Sequence, residues 1–260
     1  MTTELLPLGL AILSGGIVAL LLTLFGGGGS VLAVPLLLYI VGVTDPHVAI
    51  GVSAAGVSIN ALTALAGHAK AGRVRWPCAT LFAVTGATGA WFGSSVAKMI
   101  DGHQLLLIFA VAMAAVGLSM LRPKAALVRP EPRLNWAMAP GVSLAGAGVG
   151  SAAGFFGIGG GFLIVPGLVA STGMSLATAQ ATSLLSVVAF GATTAGNYAL
   201  SGWIDPALVA AMAIGGVAGT LAGLPLAKRL GANAALGRVL FAGLILLVAA
   251  YVAVRAVAGL

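Results

Sequence analysis

FGGGGSVLAVP, from Phe25 to Pro35, and FGIGGGFLIVP, from Phe156 to Pro166, are two versions of one phrase lying 131 residues apart. After a single gap the spacing becomes 130 and holds. It pairs Ser53 with Ser183, Gly72 with Gly202, Gly86 with Gly216, Gly89 with Gly219, Gly93 with Gly223 and Lys98 with Lys228. The chain therefore reads as two copies of one unit. Each copy carries a glycine cluster followed by a short apolar run, Val31–Val43 in the first and Phe162–Thr172 in the second. Such runs make roughly 17–20 Å of helix, short of the roughly 30 Å of hydrocarbon in a bilayer.

The segments around these clusters are longer. Leu8–Phe25, Val48–Gly67, Pro77–Ala97 and Leu105–Leu121 precede a basic stretch, RPKAALVRPEPR, and Ala137–Phe155, Ala177–Leu200, Pro206–Ala227 and Leu236–Val254 follow it. Of 260 residues, 60% are hydrophobic and 7% charged, with mean hydropathy +1.14. A soluble domain carries about 25% charged residues, so the solvent around most of this chain is lipid. That excludes soluble enzymes, nucleic-acid readers and secreted disulfide scaffolds. One cysteine, Cys78, and three scattered histidines give no disulfide, redox pair or metal-ligand spacing. No metal or other cofactor is expected. The first segment has Glu4 and no basic residue ahead of its apolar run. A secretory signal needs a positive start, so this segment is expected to be a retained membrane helix.

The expected fold is an all-α integral membrane protein of two five-segment repeats, with eight to ten transmembrane helices and glycine-broken short helices. Residues 1–121 form the N-terminal repeat, 122–135 a basic cytoplasmic linker and 136–260 the C-terminal repeat. Charge placement orients the copies. With the linker cytoplasmic, the loop HAKAGRVRW is cytoplasmic too, and the matching loop of the second copy, NYALSGWID, falls outside with no Lys or Arg. Ten of the twelve basic residues are then inside, and only Lys98 and Arg255 are outside. Five crossings per copy make the repeats inverted, with both termini extracytoplasmic. Inverted repeats with paired, interrupted helices point to a secondary transporter whose substrate sits where the repeats meet.

Anion binding fits the glycine clusters. Backbone can unwind in lipid only where protein or a water-filled cavity covers it. Helix starts near Ser30 and Phe162 would then offer N–H groups with partial positive charge. The candidate substrate-binding residues here are Gly27, Gly28, Gly29 and Ser30, with Gly159, Gly160 and Gly161 in the second copy. The competing reading is close helix packing at glycine. Neither cluster continues into the Gly-Lys-Ser/Thr of a phosphate-binding loop. Polar residues inside the segments add Ser53, Asn60, Gln180 and Ser183, because Asn and Gln are costly in hydrocarbon without a partner. For a single Ser or Thr, a hydrogen bond between helices is the ordinary explanation. The Gly86-Gly89-Gly93 and Gly215-Gly219-Gly223 stripes read as packing surfaces alone. Trp76, Trp136 and Trp203 sit at segment ends as interfacial aromatics do, and His68 beside Lys70 and Arg73 reads as part of a positive-inside anchor.

The two glycine stretches ending in VP, each followed by a Ser-containing helix (IGVSAAGVSIN, QATSLLSVVAF), resemble the TauE/SafE sulfite exporter family over essentially the whole chain. The resemblance implies an inner-membrane transporter of small sulfur-containing anions such as sulfite, sulfoacetate or other organosulfonates. It leaves the direction, the substrate, a coupling proton or counter-ion, and homo-oligomerisation open. The expected partners are the lipid bilayer and a small anion, not nucleic acid. A passive anion channel is the near alternative. A membrane-embedded enzyme or assembly factor of sulfur metabolism is the distant one, because no nucleophile–base pair and no intramembrane acid are present.

Overall fold

The computed structural model describes residues 2–121, 138–157, 159, 161–230 and 234–258, and among them every regular element is helical. The basic linker, Trp136 and Gly160 lie outside the described residues. The first copy comprises α1 (Thr2–Phe25), a 3-10 segment (Gly26–Leu32), one α-turn α2 (Ala33–Leu36), a π-turn (Leu37–Val41), α3 (Pro46–Lys70), α4 (Trp76–Ala97) and α5 (Gly102–Leu121). The second comprises α6 (Ala139–Phe156), α7 (Gly161–Thr172), α8 (Leu176–Ala199), α9 (Pro206–Leu230) and α10 (Ala234–Ala258).

Six of the described helices are long and apolar enough to cross a membrane: Leu5–Leu24, Pro46–Lys70, Gly102–Ser119, Ala139–Phe156, Leu176–Ala199 and Pro206–Gly223. α4 is as long, but its Thr, Gly and Ser residues dilute its apolar character. Shorter apolar pieces are Gly29–Val41, Leu163–Thr172 and Ala242–Val257.

Helix ends repeat along with the sequence. Asp45 caps α3 by accepting from the His47 N–H at 2.8 Å, and Ser175, 130 residues on, caps α8 by accepting from the Thr178 N–H at 3.2 Å. Left-handed Gly42 and Gly173 close the two short segments, and left-handed Gly72 and Gly202 close the loops after α3 and α8.

Packing crosses between the copies. α1 lies along α9, and α6 lies along α4. A Cβ on Gly15 would meet the Met212 carbonyl, one on Gly219 the Gly16 carbonyl, and one on Gly223 the Thr23 side chain, so α1 and α9 run parallel. Gly86 likewise faces Gly146, and Gly93 faces Ser151, so α4 and α6 are parallel. The stripes read as packing surfaces are therefore contact surfaces, where backbones approach too closely for any side chain. At the centre, Gly51 lies against Tyr198, and the Ser58 hydroxyl donates to the Val188 carbonyl at 2.9 Å. Those contacts make α3 and α8 antiparallel. The buried core runs through this pair, with Val52, Val57, Ala61, Val187 and Phe190 fully enclosed.

Candidate functional site

Helix α6 ends at Gly157, which takes a left-handed conformation with φ 65°, and Gly159 follows at φ 60°. L-residues with a Cβ rarely adopt such angles. The chain then re-enters a helix at Gly161, and α7 runs for 12 residues. The first N–H groups of an α-helix have no intrahelical acceptor and carry partial positive charge. This break is clamped between α3 and α8. The Ser53 hydroxyl donates to the Gly157 carbonyl at 2.8 Å and shares its proton with Ile50 O at 2.9 Å. A Cβ on Gly159 would come within 3.1 Å of Val57 and 3.2 Å of Val187.

The first glycine cluster behaves differently. Gly26–Leu32 is a 3-10 helix. A Cβ on Gly29 would collide with the backbone of Leu21 and Leu22, seven or eight residues earlier, so the chain doubles back on α1 here. The helix start expected near Ser30 falls inside this tight turn, with Ser30 fully buried. One neighbouring difference accompanies the change: Ser30 stands where the second copy has Gly161. The 3-10 segment nevertheless packs against α7 and α8, so Gly27, Gly28, Gly29 and Ser30 lie in the element that meets the second cluster's helix.

The remaining candidates divide. Ser183 is buried and donates back to the Gln180 carbonyl at 2.8 Å, and Gln180 is half-buried on the same turn of α8. Both repeated serines thus commit their protons to carbonyls, one of them in the other copy. Asn60 is 1% exposed and neither atom of its amide has a partner. Ser14, Ser186, Thr194 and Thr220 also hold buried hydroxyls without partners.

Sequence reasoning missed one cluster. The Lys98 ammonium, at the end of α4, donates to Asn197 Oδ1 at 2.7 Å, to the Asn197 carbonyl at 3.1 Å and to Ser201 Oγ at 3.0 Å. The Asn197 amide in turn donates to Ser94 Oγ, Ser95 Oγ and the Trp91 carbonyl. The cation closes the carbonyl end of α8 and ties it to α4. Arg255, the other basic residue that charge counting put outside, sits 5.6 Å over the Tyr39 ring and 5.9 Å over the Tyr251 ring. Their departure from the positive-inside pattern was the available signal: both cations are held by protein. Two residues after Ser201, Trp203 stacks on His47 with ring centroids 4.5 Å apart, beside the fully buried Tyr198.

Comparison with known proteins gives consistent matches. The family model described as sulfite exporter TauE/SafE matches residues 11–252. A probable membrane transporter protein of Xylella fastidiosa strain Temecula1 is 46% identical over 248 residues, covering 95% of each chain. The probable membrane transporter protein YunE of Bacillus subtilis is 27% identical over 205 residues, covering 70% of this chain and 75% of the relative. The probable membrane transporter protein MJ0441 of Methanocaldococcus jannaschii is 32% identical over 169 residues, covering 62% and 61%. No solved structure matches the chain.

Proposed function

The chain belongs to the sulfite exporter TauE/SafE family of membrane transporters, and from that premise we propose that it carries a small sulfur oxyanion or organosulfonate across a plasma membrane by alternating access between two inverted repeats. The observation that carries this reading is the left-handed break at Gly157 and Gly159, which starts α7 in the middle of the helical core, clamped by α3 of one copy and α8 of the other. A helix start of this kind binds an oxyanion through backbone N–H groups without a cationic side chain. That suits a site whose guest must also leave. The 3-10 turn with Gly27, Gly28, Gly29 and Ser30 supplies the opposing wall, and Gly161, Gln180 and Ser183 border the α7 side; the candidate Gly160 lies outside the described residues.

The inverted arrangement draws support from direction. Equivalent helices α3 and α8 are antiparallel, and α1 pairs with α9 as α6 pairs with α4. In this reading the basic loops and linker are cytoplasmic and both termini extracytoplasmic. The protein is a carrier and performs no covalent chemistry.

Uptake of labelled sulfite into proteoliposomes tests the proposal. Saturable, counter-exchanged flux is expected from the wild type, and Gly159→Leu and Gly28→Leu are each expected to reduce it at least about tenfold, the scale of losing one or more bonds to a charged group. Flux that neither saturates nor exchanges would instead mark a channel. Full transport by both variants would remove the glycine site.

A further inference from the structure

Asn60 and Phe190 are related by the 130-residue spacing and fill matching niches with opposite chemistry. Phe190 of α8 occupies the space that a side chain on Gly86 of α4 would need, and its ring stacks on Phe82 with centroids 6.2 Å apart. In the other copy Asn60 of α3 occupies the space beside Gly216 of α9, the residue equivalent to Gly86. The place of Phe82 is taken by Met212, whose sulfur is 3.2 Å from where a Cβ on Gly56 would lie. An apolar side chain therefore fits a niche of this shape. The first copy instead holds a primary amide, buried, with Oδ1 and Nδ2 both unpaired.

A buried polar group left this way is destabilising, because it has given up its bonds to water and gained none in return. The same protein also contains an intramembrane Asn that avoids that cost. Asn197 donates to Ser94, Ser95 and the Trp91 carbonyl and accepts from Lys98. Asn60 has no such partners. The helices packed beside it carry two more buried, unpartnered groups, the hydroxyls of Ser14 on α1 and Thr220 on α9. All three are neutral groups with protons to give. A hard cation wants about six or more oxygen ligands, whereas Asn60 lies against Gly216, and the Met212 thioether lies beside Gly56 one turn earlier on α3. An oxyanion asks only for N–H and O–H donors.

Asn60 also lies on the stripe of α3 that faces the α7 break. Ser53 binds the Gly157 carbonyl, Val57 borders Gly159, and Asn60 follows seven residues after Ser53, about 10 Å along the helix. That is too far for one small anion to touch both ends at once. We infer that Asn60 is a specificity-determining contact for the transported anion. It forms a second station two helical turns beyond the α7 start, where the amide N–H donates to a sulfur oxyanion as the seam between α3 and α9 opens. The inference rests on the transport reading above and assigns the two copies unequal roles, with the polar station in the first and a closed, apolar one in the second.

Proteoliposome uptake of sulfite, with sulfate, thiosulfate and sulfoacetate as competitors, is compared for the wild type, Asn60→Leu, Asn60→Thr and Phe190→Leu. Asn60→Leu is expected to unfold no more easily than the wild type on heating, yet to raise KM for sulfite about tenfold or more and to flatten the order of competitors. Asn60→Thr keeps a donor and is expected to retain uptake with a changed order. Phe190→Leu is expected to lower the unfolding temperature and leave KM and the order alone. If Asn60→Leu keeps the wild-type KM and competitor order, the inference is overturned while the transport reading stands. If Asn60→Leu does not accumulate in the membrane, an unchanged order in Asn60→Thr overturns it equally. A wild type that moves none of the four anions overturns the transport reading itself.

Discussion

Ser53 and Asn197 illustrate two grades of polar residue in a lipid-embedded core. The Ser53 hydroxyl makes one tie across copies, to the Gly157 carbonyl. Asn197 is the hub of a network that also satisfies three donor positions on Lys98. Removing one neutral hydrogen bond costs about 1 kcal/mol, and leaving a charged group short of partners costs about 1.5–3 kcal/mol. Ser53→Ala is therefore expected to lower unfolding stability in detergent by about 1 kcal/mol, and Asn197→Ala by about 2–3 kcal/mol. Equal losses would mean that the Lys98 clamp contributes little. At this scale the sequence made Asn60 conspicuous, since an amide in an apolar run demands an explanation. It did not reveal that Asn60 is solitary while Asn197 is satisfied, because the partners of Asn197 and the Gly216 wall beside Asn60 lie on helices remote in sequence.

Among the elements, the small-residue stripes were legible because glycine at every third or fourth position marks one helix face. Their partners were not. α4 packs its stripe on α6 and α9 packs its stripe on α1, each across the repeat boundary. A Cβ on Gly93 would run into the Ser151 carbonyl, whereas Gly148 on α6 has nothing within 4 Å. Gly93→Ala is expected to destabilise by about 1–3 kcal/mol through overpacking. Gly148→Ala, in an open helix position, is expected to be neutral or to stabilise by up to about 1 kcal/mol. Thermal unfolding of the two variants side by side checks this, and a shared sign would contradict the packing assignment. The two glycine clusters look alike in sequence, yet one becomes a 3-10 reversal and the other a left-handed break. Glycine permits both outcomes, so neighbouring elements select between them.

For the whole molecule, the proposed inversion makes a statement about sidedness. Arg73 and Ser201 are exposed in loops after α3 and α8, at closely matching places in the two copies. With the buried Cys78 changed to Ser, single substitutions Arg73→Cys and Ser201→Cys each offer one thiol. A membrane-impermeant maleimide is expected to label Ser201→Cys on intact cells, and Arg73→Cys only after lysis. Labelling of both from one side would end the inverted-repeat proposal.

Composition alone required lipid as the solvent, because 17 charged residues among 260 cannot cover a water-soluble surface. The 130-residue self-similarity likewise motivates the proposal of two copies, and hydrophobic length prescribed helices, since these properties are written locally along the chain. The structure alone decided which glycine cluster opens, which hydroxyls spend their protons on carbonyls, and which buried amide is left unpaired. Those outcomes depend on contacts between helices remote in sequence. Local pattern carries a preference for a conformation, while the choice among several permitted conformations belongs to the neighbours that fill or fail to fill the space around it.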